Sequence, residues 1–159
     1  MNISEQDKDM MREAIRLSQQ SVNAGGGPFG AVIAKDGQMV AGASNSVTLL
    51  GDPTAHAEVQ CIREACSRLG TFNLSGYTIY TSCEPCPMCL GAIYWARLDR
   101  IFYANTRKDA AAIDFDDDFI YQELEKPLSQ RTKPISELLR EEALPVFRMW
   151  QTKTDKTEY

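Results

Sequence analysis

The sequence predicts an α/β fold in which helices pack against a largely buried sheet. Apolar residues recur at helical spacing in two segments, and short runs rich in β-branched and aromatic residues lie between or after them. The order of these elements along the chain is helix, hairpin, helix, strand, helix, strand. Since strand–helix–strand units place a helix over the sheet that they build, we expect an α/β sandwich.

The first part of the chain predicts a helix followed by a β-hairpin. Apolar residues at helical spacing run from Ser4 to about Ala24, where "AGGGPFG" ends the helix. Two short apolar runs follow, over residues 31–34 and 39–43, with the Asp-Gly pair of "KDGQ" between them. An Asp-Gly pair between two such runs indicates a hairpin, so the sheet begins here.

The second part of the chain predicts two further helices and two further strands. The first of these helices starts near Ala55, after an Asp-Pro-Thr turn, and ends at Gly70. The segment from Tyr77 to Thr81 is rich in β-branched and aromatic residues and predicts a strand. "MCLGAIYWA" is apolar on every side and predicts a buried helix, and "RIFYAN" predicts another strand.

The C-terminal part is more polar than the rest. From Phe115 the chain turns acidic with "FDDD", and two prolines interrupt the polar stretch "EKPLSQRTKP". This composition favours a linker or hinge, followed by a last helical segment around Ile135 to Ala143. Because 159 residues is the length of one ordinary domain, we expect residues 1–159 to form a single domain.

The charge balance and the cysteine count argue against several classes of protein. The 22 acidic residues outnumber the 17 Lys and Arg, so the net charge is −5 and no basic field attracts a phosphate backbone. The five cysteines are an odd number, "MNISEQDKDM" lacks the features of a signal peptide, and no apolar run is long enough to span a bilayer. We expect a cytoplasmic protein with reduced thiols that binds neither nucleic acid nor membrane.

His56 is the only histidine in the chain, and a lone histidine more often makes structural hydrogen bonds than binds a metal. Its surroundings favour the metal. His56-Ala57-Glu58 opens one predicted helix, and "PCPMC", which contains Cys86 and Cys89, opens another. Three zinc-ligand side chains and one acid thus lie at two helix N-termini, where unpaired amides and the helix dipole stabilise thiolates.

This set of residues suits a catalytic zinc site. Three protein ligands leave the fourth tetrahedral position for water, whereas a closed structural site takes four. Zinc lowers the pKa of a bound water from near 16 towards about 7, and a nearby carboxylate can take up that proton and deliver it to a substrate. The sequence therefore predicts a hydrolytic zinc site with His56, Cys86 and Cys89 as ligands and Glu58 as the catalytic acid–base.

"TSCEPCPMC" holds two overlapping CxxC motifs, and its prolines distinguish them. Pro87 suits the first helical position, which places Cys86 at the N-cap and Cys89 in the first turn, on the same face of the helix. Cys83 is predicted to lie at the end of a strand, and Pro85 favours an extended conformation for Glu84, the residue after it. We expect Cys83 to be a neighbour of the site and not a ligand. A thioredoxin-like dithiol would leave the histidine and the glutamate unexplained.

"HAEVQCI" together with "TSCEPCPMCLGAIYWAR" resembles the cytidine and deoxycytidylate deaminase superfamily, whose signature is H-x-E followed by P-C-x-x-C. The resemblance covers nearly the whole chain, since "GGPFGAVIAKDG", "DPTAHAEV", "DFDDDFIY" and the final "EY" fit the bacterial guanine-deaminating branch. It implies a three-layer α/β/α sandwich of the cytidine deaminase type, with a five-stranded mixed sheet. It also implies one zinc ion per subunit and the hydrolysis of guanine to xanthine and ammonia, a reaction of purine catabolism.

The resemblance further implies the residues that bind the base. An asparagine at the position of Asn45 hydrogen-bonds the base, an aromatic ring at the position of Phe29 stacks on it, and the amide of Ala57 faces it. The further pocket members implied in the guanine-deaminating branch are Trp95, Asp117 and Tyr159.

The resemblance also implies how the chain assembles. Members of the branch are similar in forming homodimers by domain swapping. The C-terminal segment, about residues 127–159 here, would close the active site of the partner subunit. The ligand would be a small purine base.

Considered without the resemblance, several of these positions have a second interpretation. Asn45 ends a strand, where it can equally cap a turn. Phe29 lies between a proline and a glycine, which lets a ligand approach the backbone, but it can also belong to the core. Trp95 lies in a helix predicted to be buried, where it can simply pack. The acidic residues around Asp117 are typical of a solvated turn, and Tyr159 is the last residue, where disorder is usual.

Three other functions are consistent with parts of the pattern. A tRNA adenosine deaminase shares the zinc motif, but the net charge of −5 disfavours its polyanionic substrate. A cytosine or nucleoside deaminase would use the same zinc chemistry. A non-catalytic zinc module would need neither Glu58 nor an open coordination position.

Overall fold

The computed structural model describes residues 3–159, so the first two residues of the predicted domain lie outside the described part of the chain. A 3-10 turn, Leu128–Gln130, precedes the last helix. The helices and strands, in chain order, are α1 (Glu5–Asn23), β1 (Gly30–Lys35), β2 (Gln38–Ser44), α2 (Val47–Leu50), α3 (Ala57–Leu69), β3 (Thr78–Cys83), α4 (Pro87–Trp95), β4 (Arg100–Asn105), α5 (Arg107–Ala111), α6 (Asp118–Glu125) and α7 (Arg140–Thr152).

The sheet is mixed, and its strand order is β2-β1-β3-β4. β1 pairs antiparallel with β2 and with β3, whereas β3 and β4, which α4 connects, are parallel. This confirms the predicted α/β fold class. The expectation of five strands was wrong, because the sheet has four within the described residues. Thr106 and Asp109 form a capping box directly after β4, so the chain continues there as helix α5.

Helices cover both faces of the sheet, and the alternating direction of the side chains along β1 explains why. Ala31 and Ile33 pack into a core shared with α3 and α4. Val32 and Ala34 point the other way, into a core with Ala14 of α1. Successive side chains of a strand face opposite sides of a sheet, so four consecutive small apolar residues require a helix layer on each side.

The predicted helices are confirmed in the first half of the chain and need correction in the second. Ser4 caps α1, and Gly70 ends α3 in the left-handed conformation. The helix predicted to be buried all round, α4, has an outer face on which the side chain of Trp95 is 71% exposed. The last helix starts at Arg140, later than predicted, and continues past Pro145. A proline inside a helix removes one hydrogen bond, so the sequence pattern disfavours a helix there.

The chain divides into two compact units, one ending at Asp118 and a C-terminal unit, Phe119–Tyr159. The sheet and the helices that cover it belong to the first unit. The second unit contains α7 and has no buried residue among those described. Within residues 3–159, none of the helices combines the length and the apolar character needed to cross a membrane.

A buried hydrogen bond ties α1 to the centre of the sheet. The hydroxyl of Tyr80 donates to Asp7 Oδ1 at 2.6 Å, and the backbone N–H of Ser4 donates to Asp7 Oδ2 at 2.8 Å. These bonds, with that of Tyr80 the strongest influence, lower the pKa of Asp7 to about 2. Since the carboxyl pKa is about 4 in an unfolded chain, the ionised form contributes stability above pH 4 or so, and this contribution is lost as the pH falls through about 2.

We expect Tyr80→Phe to lower the free energy of unfolding by about 1–2 kcal/mol at pH 6, because a charge-assisted hydrogen bond is removed. The difference from the unsubstituted protein should shrink as the pH is lowered from about 4 to about 2. Urea unfolding curves at several pH values measure both effects. Tyr103→Phe is the matched control, because Tyr103 is half exposed on β4. A difference that stays constant down to pH 2 would contradict a role for the Asp7 charge.

Candidate active site

The three candidate zinc ligands lie at the starts of two helices. His56 is the N-cap of α3 and Cys86 is the N-cap of α4, both with extended backbone (φ −66°, ψ 153° and φ −67°, ψ 167°). Pro87 occupies the first helical position of α4, and Cys89 follows in the first turn. The structure therefore arranges Cys86 and Cys89 on the helix as the sequence predicts.

The side chains of these three residues converge. His56 Nδ1 lies 3.6 Å from Cys86 Sγ and 3.5 Å from Cys89 Sγ. Zinc–sulfur bonds of about 2.3 Å and zinc–nitrogen bonds of about 2.0 Å, at a tetrahedral angle, correspond to sulfur–nitrogen separations of about 3.5 Å. The donor set and its spacing fit a tetrahedral zinc ion. Within residues 3–159 this is the only group of three or more such side chains arranged to hold a metal.

The two thiols differ in acidity. The pKa of Cys86 is lowered to about 4, first because the Cys89 thiol donates a hydrogen bond to it and also because His56 is close. The pKa of Cys89 is raised, first by that hydrogen bond and then by burial. The site therefore stabilises one thiolate by local contacts, and a thiolate is the form that binds a metal.

Glu58 lies in the first turn of α3 and is only 7% exposed. Its Oε2 lies 3.4 Å from Cys89 Sγ, so the carboxylate lies beside the ligand cluster without belonging to it. Burial raises the pKa of Glu58 above its usual range. A raised pKa suits a carboxyl group that both takes up and releases a proton near neutral pH.

A cavity of about 420 Å³ lies next to the ligands, within the N-terminal unit. This volume is typical of a small-molecule site. His56, Cys86 and Glu58 form part of its wall. The wall contains five carboxylates, namely Glu58, Glu84, Asp114, Asp116 and Asp117.

Phe29 and Asn45, both predicted to bind the base, also line this cavity. The ring of Phe29 packs edge-on against Phe115, with the centroids 5.0 Å apart. The backbone N–H of Asn45 donates to Phe29 O at 2.9 Å, and Asn45 Oδ1 accepts from the N–H of Val47 at 3.3 Å. The Asn45 side chain therefore has one hydrogen bond to the backbone and keeps both donor and acceptor capacity.

The other predicted base-binding residues do not all line this cavity. Asp117 lines the cavity, whereas Trp95 lies on the surface of α4, in a shallow depression beside Tyr94. Ala57 is the first residue of α3, and its side chain is buried in the core. Tyr159 belongs to the C-terminal unit and is 71% exposed. The roles of Trp95, Ala57 and Tyr159 in substrate binding stay predictions.

Sequence reasoning missed several cavity residues, Arg107 and Phe115 among them, and it placed Cys83 at the end of its strand, where the structure has it. Arg107 and Phe115 lie in the wall, and the only signal for them is that they follow β4, whose C-terminal end adjoins that of β3. Cys83 ends β3 and lines the cavity, and its Sγ donates to Thr106 O at 3.7 Å. Cys83 is not part of the group of metal-binding side chains among the described residues.

Residues 4–105 match the family described as the cytidine and deoxycytidylate deaminase zinc-binding region. This match covers more than half of the chain, and the chain belongs to this family. The chain is also 53% identical to the guanine deaminase of Bacillus subtilis over 150 residues, which are 94% of this chain and 96% of that protein. The chain also superposes on the X-ray structure of guanine deaminase from the same organism, with a TM-score of 0.93 and 51% sequence identity. The superposition covers 100% of this chain and 99% of that chain.

A more distant group of relatives acts on tRNA. The chain is 40% identical to the tRNA-specific adenosine deaminase of Aquifex aeolicus over 98 residues, which are 62% of this chain and 65% of that protein. The similarity to the Bacillus subtilis protein thus extends over a larger part of this chain than the similarity to the tRNA deaminase.

Proposed function

We propose that this protein catalyses the zinc-dependent hydrolysis of guanine to xanthine and ammonia. The observation that carries the proposal is the extent of the similarity to a guanine deaminase, which covers 94% of the chain at 53% identity. The zinc-binding region itself ends at residue 105, so it cannot account for that extent. The acidic segment that contributes Asp117 to the cavity lies beyond this limit.

The residues around the cavity suit each part of the reaction. We assign His56, Cys86 and Cys89 as ligands of one zinc ion per subunit, supported by their sulfur–nitrogen distances of 3.5–3.6 Å. The chemistry that zinc supplies when bound is the activation of water for attack on a ring carbon. Glu58 would take up one proton of that water and deliver it to a ring nitrogen. It would then take up the second proton, from the new hydroxyl group, and deliver it to the amine, so that the carbonyl forms as the carbon–nitrogen bond breaks and ammonia departs.

The recognition of guanine is assigned to polar groups on the cavity wall. Guanine has several N–H donors, and the carboxylate of Asp117 is suited to accept from them. The Asn45 side-chain amide, which lines the cavity, is suited to donate to an acceptor of the base. The ring of Phe29 offers a face for stacking. Trp95 and Tyr159 are further candidates from the resemblance.

We also propose that the protein acts as a homodimer of single deaminase domains, residues 1–159, in which about residues 127–159 are exchanged between subunits. In the C-terminal unit, Phe147 is 75% exposed, Met149 is 69% exposed and Trp150 is 43% exposed. An amphipathic helix normally buries its apolar side against another element. Light scattering should give the mass of a dimer, and truncation after Glu125 should give a monomer.

We place the protein in the cytoplasm. All five cysteines are free thiols. Cys86 and Cys89 must stay reduced to bind a metal, which favours a reducing compartment. Staining of fractionated cells with an antibody tests this placement, and recovery of the protein outside the cytoplasm would contradict it.

A panel of aminated bases tests the proposed activity. We expect zinc-loaded protein to release ammonia from guanine, with a kcat/KM at least tenfold higher than for cytosine, cytidine or adenosine in an RNA loop, because Asp117 and Asn45 match the guanine donors and acceptors. Coupled detection of ammonia measures the rates. Preference for the adenosine of the RNA loop would overturn the substrate assignment and leave the zinc site unaffected.

A further inference from the structure

The Glu84–Arg107 ion pair joins two segments of the cavity wall that are far apart in the sequence. Glu84 lies between β3 and Cys86, and Arg107 is the first residue of α5. Arg107 Nε and Nη2 donate to Glu84 Oε1 at 3.1 and 2.7 Å, and the backbone N–H of Arg107 donates to Glu84 Oε2 at 3.0 Å. The backbone N–H of Glu84 donates to Asn105 O at 2.8 Å. Four hydrogen bonds therefore connect the two segments.

The Glu84–Arg107 pair is less exposed than most ion pairs of the described residues, and only the Lys126–Glu123 pair among them is similarly buried. The side chains of Arg107 and Glu84 are 36% and 21% exposed, whereas those of Arg12 and Asp9 on α1 are 64% and 63% exposed. Arg107 holds both oxygens of the carboxylate, with its side chain on one and its backbone N–H on the other. Charge-assisted bonds in such fixed geometry are stronger than single exposed contacts.

Each end of the pair leads directly to a group of the active site. Two residues after Glu84 comes Cys86, which is in the metal-binding cluster. The chain after α5 carries Phe115 and Asp117 into the cavity wall, and the N–H of Phe115 donates to Ala110 O at 3.0 Å, which anchors this loop to α5. The distance between the metal ligands and Asp117 therefore depends on how Glu84 holds Arg107.

The positive charge of Arg107 also affects the ionisation of a carboxylate in the cavity wall. Among the lining residues that the structure describes, Arg107 is the only Lys or Arg, and it shares the wall with five carboxylates, of which Glu84 is its ion-pair partner. The pKa of Asp117 is raised, first by burial and then by the nearby Cys86; the guanidinium of Arg107 lowers this pKa, and the carboxylate of Glu84 raises it. The guanidinium thus favours the ionised form of the carboxylate that is assigned to the base.

We infer that Glu84 and Arg107 are positioning residues of the active site, which hold the Asp117 loop at the correct distance from the zinc ligands and so set the affinity for the purine base. This inference rests on the proposed function. Neither residue is assigned to contact the reacting atoms, and neither is a metal ligand. Their effect on KM acts through Asp117.

Steady-state kinetics on guanine, with zinc content and melting temperature measured in parallel, test the inference. We expect Arg107→Gln and Glu84→Gln each to raise KM at least about tenfold, with kcat changed less than threefold and zinc still at one ion per chain. Arg107→Lys keeps the charge without the fork and should also raise KM, though less than Arg107→Gln does, so it carries the test if Arg107→Gln does not fold. Arg12→Gln, which breaks the exposed pair on α1, is the matched control and should leave KM unchanged.

A double variant tests whether Arg107 affects KM through Asp117. In an Asp117→Asn background, Arg107→Gln should raise KM less than twofold further, because the residue through which it acts is already altered. Additive effects would overturn the inference, and so would a fall in melting temperature with unchanged KM. Loss of zinc from the Glu84 and Arg107 variants would also overturn it, since the pair would then support the metal site. If the unsubstituted protein does not deaminate guanine, the proposed function itself fails, and this inference fails with it.

Discussion

Glu58→Ala is expected to reduce the kcat for guanine deamination by about 10³–10⁴-fold, because the reaction loses the group that moves protons between water, ring and leaving amine. Zinc content should stay at one ion per chain, since Glu58 lies beside the ligand cluster without belonging to it. Glu58→Gln keeps the shape of the side chain but cannot take up a proton, and it should be as inactive as the alanine variant. Ammonia release and metal analysis on the same preparations measure both quantities.

The matched control for this prediction is Glu64→Ala on the same helix. Glu64 forms an exposed ion pair with Arg68, two turns away from the site. Its replacement should change kcat less than twofold, because exposed pairs contribute little. Normal turnover by the Glu58 variants would show that the proton moves by another route, and the assignment of Glu58 would be wrong.

Cys89→Ser is expected to abolish zinc binding and turnover together. Cys89 is fully buried and lies 3.5 Å from His56 Nδ1, so a serine hydroxyl would leave the metal with two good ligands. Since a metal that binds only the folded state stabilises it, the melting temperature of the zinc-loaded protein should also fall to that of the metal-free protein. Metal analysis after dialysis, ammonia release and thermal unfolding measure the three effects.

Two other cysteines provide controls for the loss of zinc. Cys66 is partly buried on α3 and packs against the core. Cys83 lines the cavity but is not in the metal-binding group of the described residues. Cys66→Ser and Cys83→Ser should both keep one zinc ion per chain. Loss of zinc from Cys83→Ser would mean that the wrong CxxC pair has been assigned.

The features that sequence predicts well are local. The starts of α3 and α4 are determined by neighbouring residues, such as Pro87 at the first position of α4, and the candidate ligands follow from helical spacing. The hairpin of β1 and β2 follows from an Asp-Gly pair between two apolar runs. These elements need no knowledge of distant contacts, so they can be predicted from a short stretch of sequence.

The features that sequence predicts poorly depend on contacts between distant segments. The pairing of Glu84 with Arg107 depends on the parallel register that sets Cys83 opposite Asn105. The outer face of α4 is not visible in a segment that is apolar on every side, so the exposure of Trp95 is not predictable from it. The start of α5 at Thr106 is different, because its capping box is a local signal that the sequence analysis did not use.

The two helices that carry the candidate ligands begin without a side-chain cap, whereas α1 and α5 begin with capping boxes. His56 and Cys86 occupy positions where serine, threonine or aspartate would stabilise the helix by about 1 kcal/mol. At the starts of α3 and α4 the sequence thus has a candidate metal ligand in place of a residue that would stabilise the helix. Directed evolution for heat resistance in zinc-free medium would consequently favour capping residues at positions 56 and 86. The selected variants would have a higher melting temperature, and they would be inactive because two candidate zinc ligands are replaced.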